Sequence, residues 1–170
     1  GVQSGALSTF PQNIGRSVLL LYSDLGDFVF DPFAGHNSRM DLCVTNGRHY
    51  HAYDISQQFM AANDRRAQTL RGQYPKARIE LHLQDSRNPY FSKPSQFDFT
   101  ITSPPYYDIE FYGNEAAQLG KAKTYEDFLV GIGEVLVGNF RVLKPGAFCA
   151  WFVNDFRRKG KFYLYHVDII

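Results

Sequence analysis

Short apolar segments alternate with longer amphipathic ones along this chain, and no other feature of the sequence constrains the fold as strongly. Five segments are predicted to be strands: residues 28–30, a short apolar run of the buried-strand type; 79–83, where apolar and polar residues alternate; and 49–54, 97–102 and 147–153. Such alternation predicts an α/β fold with a doubly wound, mostly parallel sheet. Because the crossovers of such a sheet are right-handed, ligands are expected at the carboxyl ends of the strands.

Helical spacing of apolar residues predicts four helices before and between these strands. They cover residues 14–23, a stretch from Gly35 to about residue 43, residues 57–70 and a stretch from Thr124 to about residue 143. Ser56 is suited to cap the third helix, and Thr124 with Asp127 resembles a capping box at the start of the fourth. A turn at residues 144–146 is expected to lead into the fifth strand.

The composition is that of a globular protein with little net charge. Among 170 residues, 44% are hydrophobic, and 18 basic against 17 acidic side chains leave a formal charge of +1. Any nucleic-acid binding must therefore come from a local patch. The longest apolar runs fall far below the ~20 residues of a membrane span, and no secretory signal is visible. We expect a single cytoplasmic domain over residues 1–170, with no membrane partner.

A glycine-containing loop follows the first predicted strand: Asp31-Pro32-Phe33-Ala34-Gly35-His36-Asn37-Ser38. Gly35 permits a tight turn, and the following helix start offers free backbone N–H groups to an anion such as a carboxylate. The loop is neither a G-x-G-x-x-G pattern nor a P-loop. Asp54 ends the second strand about 20 positions later, where an acidic side chain can bind ribose hydroxyls. A helix cap is the alternative role for Asp54.

The more specific loop follows the fourth strand and reads Thr102-Ser103-Pro104-Pro105-Tyr106. Two prolines fix the backbone and leave nearby carbonyl groups rigid. The exocyclic amino group of a nucleobase could donate one hydrogen bond to the Ser103 hydroxyl and one to the Pro104 carbonyl, which would aim its lone pair at a methyl donor. Tyr106 would stack on the base. The alternative is a rigid turn with Tyr106 as a core aromatic residue.

Together these loops resemble those of the DNA amino-methyltransferases, which methylate cytosine N4 or adenine N6 using S-adenosylmethionine. Phe10-Pro11-Gln12 is similar to the family segment that holds the cofactor's methionine part, and residues 141–146 are similar to its approach to strand five. The resemblance, which runs from Phe10 to Val153, implies the Rossmann-like fold of the class I S-adenosylmethionine-dependent methyltransferases. The cofactor-binding residues that it implies are Pro11, Asp31, Phe33, Gly35, Ser38, Asp54 and Asp85.

Within that set, the resemblance assigns the cofactor's carboxylate to Ser38, its ribose to Asp54 and its adenine amino group to Asp85. The family often has Gly-x-Gly-Thr where this chain has Gly35-His36-Asn37-Ser38. Asn tolerates positive φ better than other non-glycine residues, so we expect the turn to survive.

The resemblance also implies a site-specific DNA methyltransferase with Ser103, Pro104, Pro105 and Tyr106 as its catalytic residues. Members with Ser at the first position are often cytosine N4 enzymes, whereas those with Asp or Asn are often adenine N6 enzymes. Both bases stay open, because Asp108 or Glu110 could add charge from the next loop. Cytosine C5 methylation needs a thiolate, whereas Cys43 and Cys149 have the sequence context of buried apolar residues.

A base inside a duplex cannot reach such a pocket, so a flipped base or a single strand is expected as substrate. The long segment 107–123 is expected to move over the substrate, with Tyr107, Asp108 and Tyr112 among its contacts; the alternative is a surface excursion without function. The densest basic run follows the fifth strand and contains Arg157, Arg158, Lys159 and Lys161. Phosphate contact and a solvated hairpin or loop are equally good interpretations of this run.

Two other functions stay open at this point: an RNA or protein amide methyltransferase, and a non-catalytic cofactor- or DNA-binding module of the same fold. No metal is expected, since His49 and His51 lie two apart on one strand but have no evident partner set.

The family fold usually has seven strands, and this chain shows five. We therefore expect a catalytic domain truncated after strand five, without a separate target-recognition domain. Strand five would have an exposed edge, completed by missing residues or by a homodimer. A bacterial, archaeal or phage-infected cell is the expected setting, and restriction-modification, a phage role and gene regulation all stay open.

Overall fold

A five-stranded parallel sheet forms the centre of the computed structural model, which describes residues 10–87, 93–109 and 115–170. Its strands are β1 (Phe28–Asp31), β2 (His49–Asp54), β3 (Ile79–Leu83), β4 (Phe97–Thr102) and β5 (Leu143–Trp151). They lie in the order β3-β2-β1-β4-β5, and all neighbouring pairs are parallel. The chain order reverses between β1 and β4, and a sheet of this kind binds ligands at that point.

Helices α1 to α3 contribute to one cluster of the core, and α4 contributes to another. Their bounds are α1 (Gln12–Tyr22), α2 (Ser38–Thr45), α3 (Gln57–Gln73) and α4 (Tyr125–Val142). The predicted caps are confirmed: the Ser56 hydroxyl accepts a hydrogen bond from the Phe59 amide (3.4 Å), and the Thr124 hydroxyl accepts one from the Asp127 amide (3.0 Å). The first cluster of the core joins α1, α2 and α3 to the sheet through Leu19, Met40, Leu70 and Phe99.

The predicted bounds of β2, β3 and β4 match the structure. Strand β5 differs, because it starts at Leu143 and ends at Trp151 instead of covering 147–153. Its register against β4 shifts between Phe97, which pairs with Leu143, and Phe99, which pairs with Phe148. The extra residues contain Gly146 at φ +82°, so the predicted turn survives as an irregularity inside a longer strand.

A hairpin and a short helix follow the sheet: β6 (Phe156–Arg158), β7 (Lys161–Tyr163) and α5 (Tyr165–Asp168). Arg158 pairs with Lys161, so the turn consists of Lys159 at φ +47° and Gly160 at φ +79°. Two positive φ angles in a two-residue loop are the geometry of a type I′ turn. Aromatic residues of the hairpin, α5 and α4 form a second core cluster that includes Phe128, Phe156 and Tyr165.

In the part of the chain that the structure describes, β3 and β5 are the outer strands of the sheet. Strand β5 is therefore an edge strand, as predicted, and it leaves Phe148 56% exposed. None of the described helices combines the length and the apolar character that a bilayer crossing requires.

Candidate functional site

A cavity of about 910 Å³ opens at the carboxyl ends of the strands. Two walls form most of it, and Phe10, Pro11, Gln12 and Ile14 complete the lining. The β1–β3 wall consists of lining residues that follow β1, β2 and β3, and the β4–β5 wall of those that follow β4 and β5. Nine of the predicted site residues line the cavity: Pro11, Phe33, Gly35, Ser38, Asp54, Asp85, Ser103, Pro105 and Tyr106.

Gly35 shapes the β1–β3 wall. Its φ is +50°, a conformation that side-chain-bearing residues avoid, and its amide donates a hydrogen bond to Asp54 Oδ2 (2.8 Å). Its carbonyl accepts a hydrogen bond from Asn63 Nδ2 (2.9 Å), which anchors the loop to α3. Asn37, by contrast, has φ −63°, so the tolerance of positive φ expected for this residue is not used.

The Asp54 carboxylate braces this loop and also lines the cavity. Its Oδ1 accepts a hydrogen bond from the Ser56 amide (2.8 Å), while Oδ2 holds Gly35. Each oxygen keeps a second lone pair for another donor. Burial raises the pKa of Asp54, although the hydrogen bonds from Ser56 and Gly35 oppose that shift. The two roles predicted for Asp54, a local cap and a ligand acceptor, are therefore geometrically compatible.

Asp31 differs from the other predicted cofactor residues, because it is fully buried and does not line the cavity. Its carboxylate accepts hydrogen bonds from Arg39 Nε (2.6 Å), the Tyr50 hydroxyl (2.7 Å) and the Thr102 hydroxyl (2.6 Å). Asp31 thus ties α2, β2 and β4 together beneath the cavity. Arg39 is not among the residues predicted from the sequence, yet its guanidinium reaches the lining and also donates to the Ala34 carbonyl (3.1 Å).

Asp85 lies on the same wall but is held differently from Asp54. Arg87 contacts both of its oxygens, with Nε at 3.0 Å from Oδ1 and Nη2 at 2.5 Å from Oδ2. Burial acts to raise the pKa of Asp85, but the hydrogen bonds from Arg87 outweigh burial and lower it. The pKa values of the two acidic side chains of the wall, Asp54 and Asp85, are therefore shifted in opposite directions.

Ser103 begins the β4–β5 wall. Its hydroxyl donates a hydrogen bond to the Phe152 carbonyl (3.1 Å), which directs the proton away and leaves the oxygen lone pairs for another donor. Pro104 is buried, and no backbone amide of the described residues donates to its carbonyl. The Pro105 carbonyl accepts a hydrogen bond from the Tyr165 hydroxyl (3.3 Å), so α5 buttresses this motif.

Tyr106 lines the cavity with only a small part of its side chain, since the residue is 8% exposed. Its ring meets those of Phe156 and Tyr165 edge-on at centroid distances of 5.7 and 5.8 Å. Its hydroxyl accepts a hydrogen bond from the Asn154 amide (3.1 Å). Asn154 also lines the cavity and is absent from the predicted set, although the stretch after the fifth strand was expected to matter.

Among the described residues, the other predicted substrate contacts lie outside the cavity lining. Tyr107 packs against Tyr125 and Phe128, and its hydroxyl donates to the Lys123 carbonyl (3.3 Å). Asp108 forms ion pairs with Lys159 (2.9 Å) and Arg158 (3.2 Å), and their hydrogen bonds lower its pKa, with Lys159 contributing most. Tyr112 and Glu110 lie outside the described residues.

The predicted basic run forms the β6–β7 hairpin, so the solvated-hairpin reading describes its conformation. Arg157 lies over the Phe162 ring at 5.8 Å from its centroid, and Lys161 lies over the Tyr163 ring at 4.9 Å. Together with the Asp108 pairs, every cation of the run has a partner inside the protein. The run keeps solvent access, since the Lys159 side chain is 77% exposed.

Neither cysteine lines the cavity. Cys43 is buried as predicted, whereas Cys149 is exposed, because it lies on edge strand β5, where its sulfur accepts a hydrogen bond from Asn139 Nδ2 (2.8 Å). The prediction of a buried Cys149 is therefore wrong.

Comparison with known proteins identifies the fold. No family model and no curated protein matches the chain. Among solved structures, TrmN from Thermus thermophilus matches with a TM-score of 0.63 and 16% identity over 87% of this chain. A SAM-dependent methyltransferase from Methanosarcina mazei matches with a TM-score of 0.58 and 18% identity over 85% of it. The chain has the Rossmann-like fold of the S-adenosylmethionine-dependent methyltransferases.

This likeness defines the fold and leaves the reaction to the site. The [4+2]-cyclase SpnF matches about as well, with a TM-score of 0.57 and 18% identity over 82% of the chain. The chain spans 43% of SpnF, 40% of TrmN and 57% of the Methanosarcina protein.

Proposed function

We propose that this chain is the catalytic part of an S-adenosylmethionine-dependent methyltransferase that acts on an exocyclic amino group in DNA, at cytosine N4 or adenine N6. The observation that carries the proposal is the meeting of two motifs across one cavity. The Gly35 loop with Asp54 forms one wall, and Ser103-Pro104-Pro105-Tyr106 forms the other.

The β1–β3 wall fits the cofactor. The cavity is of the size that binds small molecules and cofactors, and it opens where the strand order reverses. The free lone pairs of Asp54 suit the two hydroxyl donors of a ribose. The backbone at Gly35 has no side chain that would block close approach. The cofactor would supply a methyl group bound to a positively charged sulfur atom. When the methyl group is transferred, the sulfur would be left as a neutral thioether, which is a good leaving group.

The β4–β5 wall fits an amino group. The Ser103 oxygen has lone pairs available because its proton is engaged by the Phe152 carbonyl. One N–H of the substrate would donate to Ser103 and the other to the Pro104 carbonyl. The amino nitrogen would thereby lose conjugation with the base and turn its lone pair toward the methyl group. Catalysis of this kind rests on orientation, because holding the reacting atoms in line removes most of the entropic barrier.

Methyl transfer at this site needs no covalent intermediate on the protein. Cytosine C5 methylation requires a thiolate attack on the base, and neither cysteine is among the lining residues. Direct transfer to nitrogen needs only the acceptors and the alignment described above. The proton that the nitrogen loses afterwards can pass to water.

A methyl-transfer assay with labelled S-adenosylmethionine tests the substrate class. Double-stranded DNA, single-stranded DNA, RNA and peptide are offered separately, at equal concentration. We expect label in DNA, and more in single strands than in duplex, because unstacking a base has a free-energy cost. Label in RNA or peptide alone would transfer the proposal to those substrates, and cofactor binding without any transfer would favour a non-catalytic module.

A further inference from the structure

Three potential metal ligands lie side by side on β2 and β3, apart from the cavity: His51, Glu80 and His82. The parallel register pairs His51 with Glu80 and Tyr53 with His82, which brings all four side chains to one face of the two strands. One ligand atom from each of the three residues lies within 4.8 Å of the others. Within residues 10–87, 93–109 and 115–170, no other group of three or more such side chains meets this criterion.

His82 provides an independent sign that something is missing from this cluster. Its Nε2 atom is buried and has no hydrogen-bond partner among the described residues. A buried polar atom without a partner is costly, and such atoms in native proteins call for an explanation. A bound cation would supply the missing interaction, because a neutral imidazole nitrogen is a metal ligand.

Glu80 and Tyr53 hold the His51 ring in an orientation that is compatible with metal binding. Nδ1 lies 3.0 Å from Glu80 Oε2, and Nε2 lies 2.8 Å from the Tyr53 hydroxyl. Metal-binding histidines commonly donate their second ring N–H to an oxygen acceptor, which fixes the tautomer and the ring orientation. If Nδ1 bound the ion, the hydroxyl of the fully buried Tyr53 would accept the hydrogen bond from the Nε2–H of His51.

We propose that His51, Glu80 and His82 form a binding site for a divalent transition metal ion, with Zn²⁺ as the expected ion. Two imidazole nitrogens and one carboxylate are a known zinc ligand set that leaves a fourth position for water. Binding at Nδ1 would leave the single ring proton of His51 on Nε2, where it would be donated to the Tyr53 hydroxyl, so that neither His51 nor the ionised Glu80 would need to release a proton.

The location suits a stabilising ion and not a reacting one. None of the three ligands lines the cavity, so the ion would join two strands without touching the proposed substrate. The Glu80 side chain is 53% exposed, and β3 is an outer strand of the described sheet, so an ion can reach the cluster from solvent.

The test is a titration of metal-free protein with Zn²⁺, read by calorimetry and by melting temperature. We expect one ion per chain and a melting temperature that rises with Zn²⁺ concentration, since an ion that binds only the folded state stabilises it. His82→Ala and Glu80→Gln should each weaken binding by at least about 10-fold, a loss comparable to that from removing the outer partners of a metal ligand.

His166→Gln is the matched control. His166 Nδ1 lies 2.6 Å from Asp155 Oδ1, so it forms a similar histidine–carboxylate pair but has no third ligand among the described residues. This variant should bind Zn²⁺ as tightly as the unaltered chain. If His82→Ala does not fold, Glu80→Gln decides alone, because its side chain is mostly exposed. Absence of uptake by the unaltered chain, or equal affinity in Glu80→Gln, would overturn the proposal.

Discussion

The two walls of the cavity are held by different kinds of interaction. The β1–β3 wall is polar: Asp54 holds Gly35 and Ser56, and Asp31 beneath it holds Arg39, with backbone amides and charged groups as donors. The β4–β5 wall rests on an aromatic cluster, in which Tyr106 and Tyr107 pack among residues of α4 and the hairpin. The polar wall keeps acceptor capacity toward the cavity, whereas most of the aromatic surface of the other wall is used internally.

This difference indicates which residues of each wall are available to a ligand. On the β1–β3 wall, the same carboxylate braces the loop and faces the cavity. On the β4–β5 wall, different residues brace the wall and face the ligand. Tyr107, Asp108 and the hairpin cations support the wall, whereas Ser103 presents its hydroxyl oxygen. Substitutions on the two walls should therefore have separable effects.

The largest effect is expected from Ser103→Ala. This change removes the acceptor of the amino group and should lower the methyl-transfer rate by about 100-fold or more, since a small misplacement of reacting atoms can cost ~10²-fold. The dissociation constant of S-adenosylhomocysteine should stay unchanged. Ser17→Ala, on the exposed surface of α1, is the control and should leave both quantities as they are. Equal loss of cofactor binding in Ser103→Ala would mean that the walls do not act separately.

Asp54→Asn should show the opposite pattern. Loss of the charge weakens the hydrogen bonds to Gly35 and to a ribose, and a charged hydrogen bond contributes ~1.5–3 kcal/mol. Cofactor affinity measured by calorimetry should fall by about 10- to 100-fold. Asp64→Asn, an exposed change on α3, serves as the control. Unchanged affinity in Asp54→Asn would exclude Asp54 from the cofactor site.

A smaller effect is expected when Asp108 is changed, because it neutralises two cations of the hairpin. Asp108→Asn should free Arg158 and Lys159 for phosphate, tighten DNA binding several-fold and steepen its salt dependence by about one unit of slope. Asp98→Asn makes the same change in net charge and frees Lys144 at the opposite end of the sheet, so it should not tighten binding. If both variants tighten DNA binding equally, the effect comes from net charge and not from the hairpin.

The smallest expected effect is on the pH dependence of the free energy of unfolding. Because the pKa of Asp54 is raised, the folded state of the unaltered chain binds a proton more tightly than the unfolded state, and stability falls as pH rises from the ordinary Asp value toward the raised one. The pKa of Asp85 is lowered, so its contribution is present above the ordinary Asp value and is lost as pH falls through the lowered one.

Denaturant unfolding at several pH values checks these signs. Relative to the unaltered chain, Asp54→Asn should gain stability as pH rises above about 3.9, the ordinary value for Asp. Asp85→Asn should gain relative stability only as pH falls below that value. The same trend in both variants would contradict the opposite shifts of the two groups.

Much of the β1–β3 half was predictable because its signals are local. The bounds of β3 follow from the alternation of apolar and polar residues over 79–83, and Ser56 caps α3 from a position that the sequence alone indicates. The spacing of Gly35 and Asp54 was also informative, since Gly35 lies in the loop after β1 and Asp54 ends β2, the neighbouring parallel strand. Arg39 was not predicted as a site residue because its burial against Asp31 depends on how α2 packs on the sheet.

The β4–β5 half was harder to predict because its contacts are long-range. The motif at Ser103 was recognisable, but the packing of Tyr107 and the pairing of Asp108 depend on a hairpin about 50 residues later. That hairpin turns at Lys159-Gly160, which lacks the Asn-Gly or Asp-Gly pattern that signals a type I′ turn. The cluster at His51 required the register between two parallel strands, which hydrophobic pattern alone does not provide.

The measurement that tests the proposed reaction most directly is mass spectrometry of nucleosides after incubation of DNA with the chain and S-adenosylmethionine carrying a deuterated methyl group. The account predicts deuterated N4-methylcytosine or N6-methyladenine with the unaltered chain and with Ser17→Ala, and neither with Ser103→Ala. A deuterated methyl group on cytosine C5, or no methylated base from a chain that binds the cofactor, would contradict transfer to an exocyclic amino group at this site.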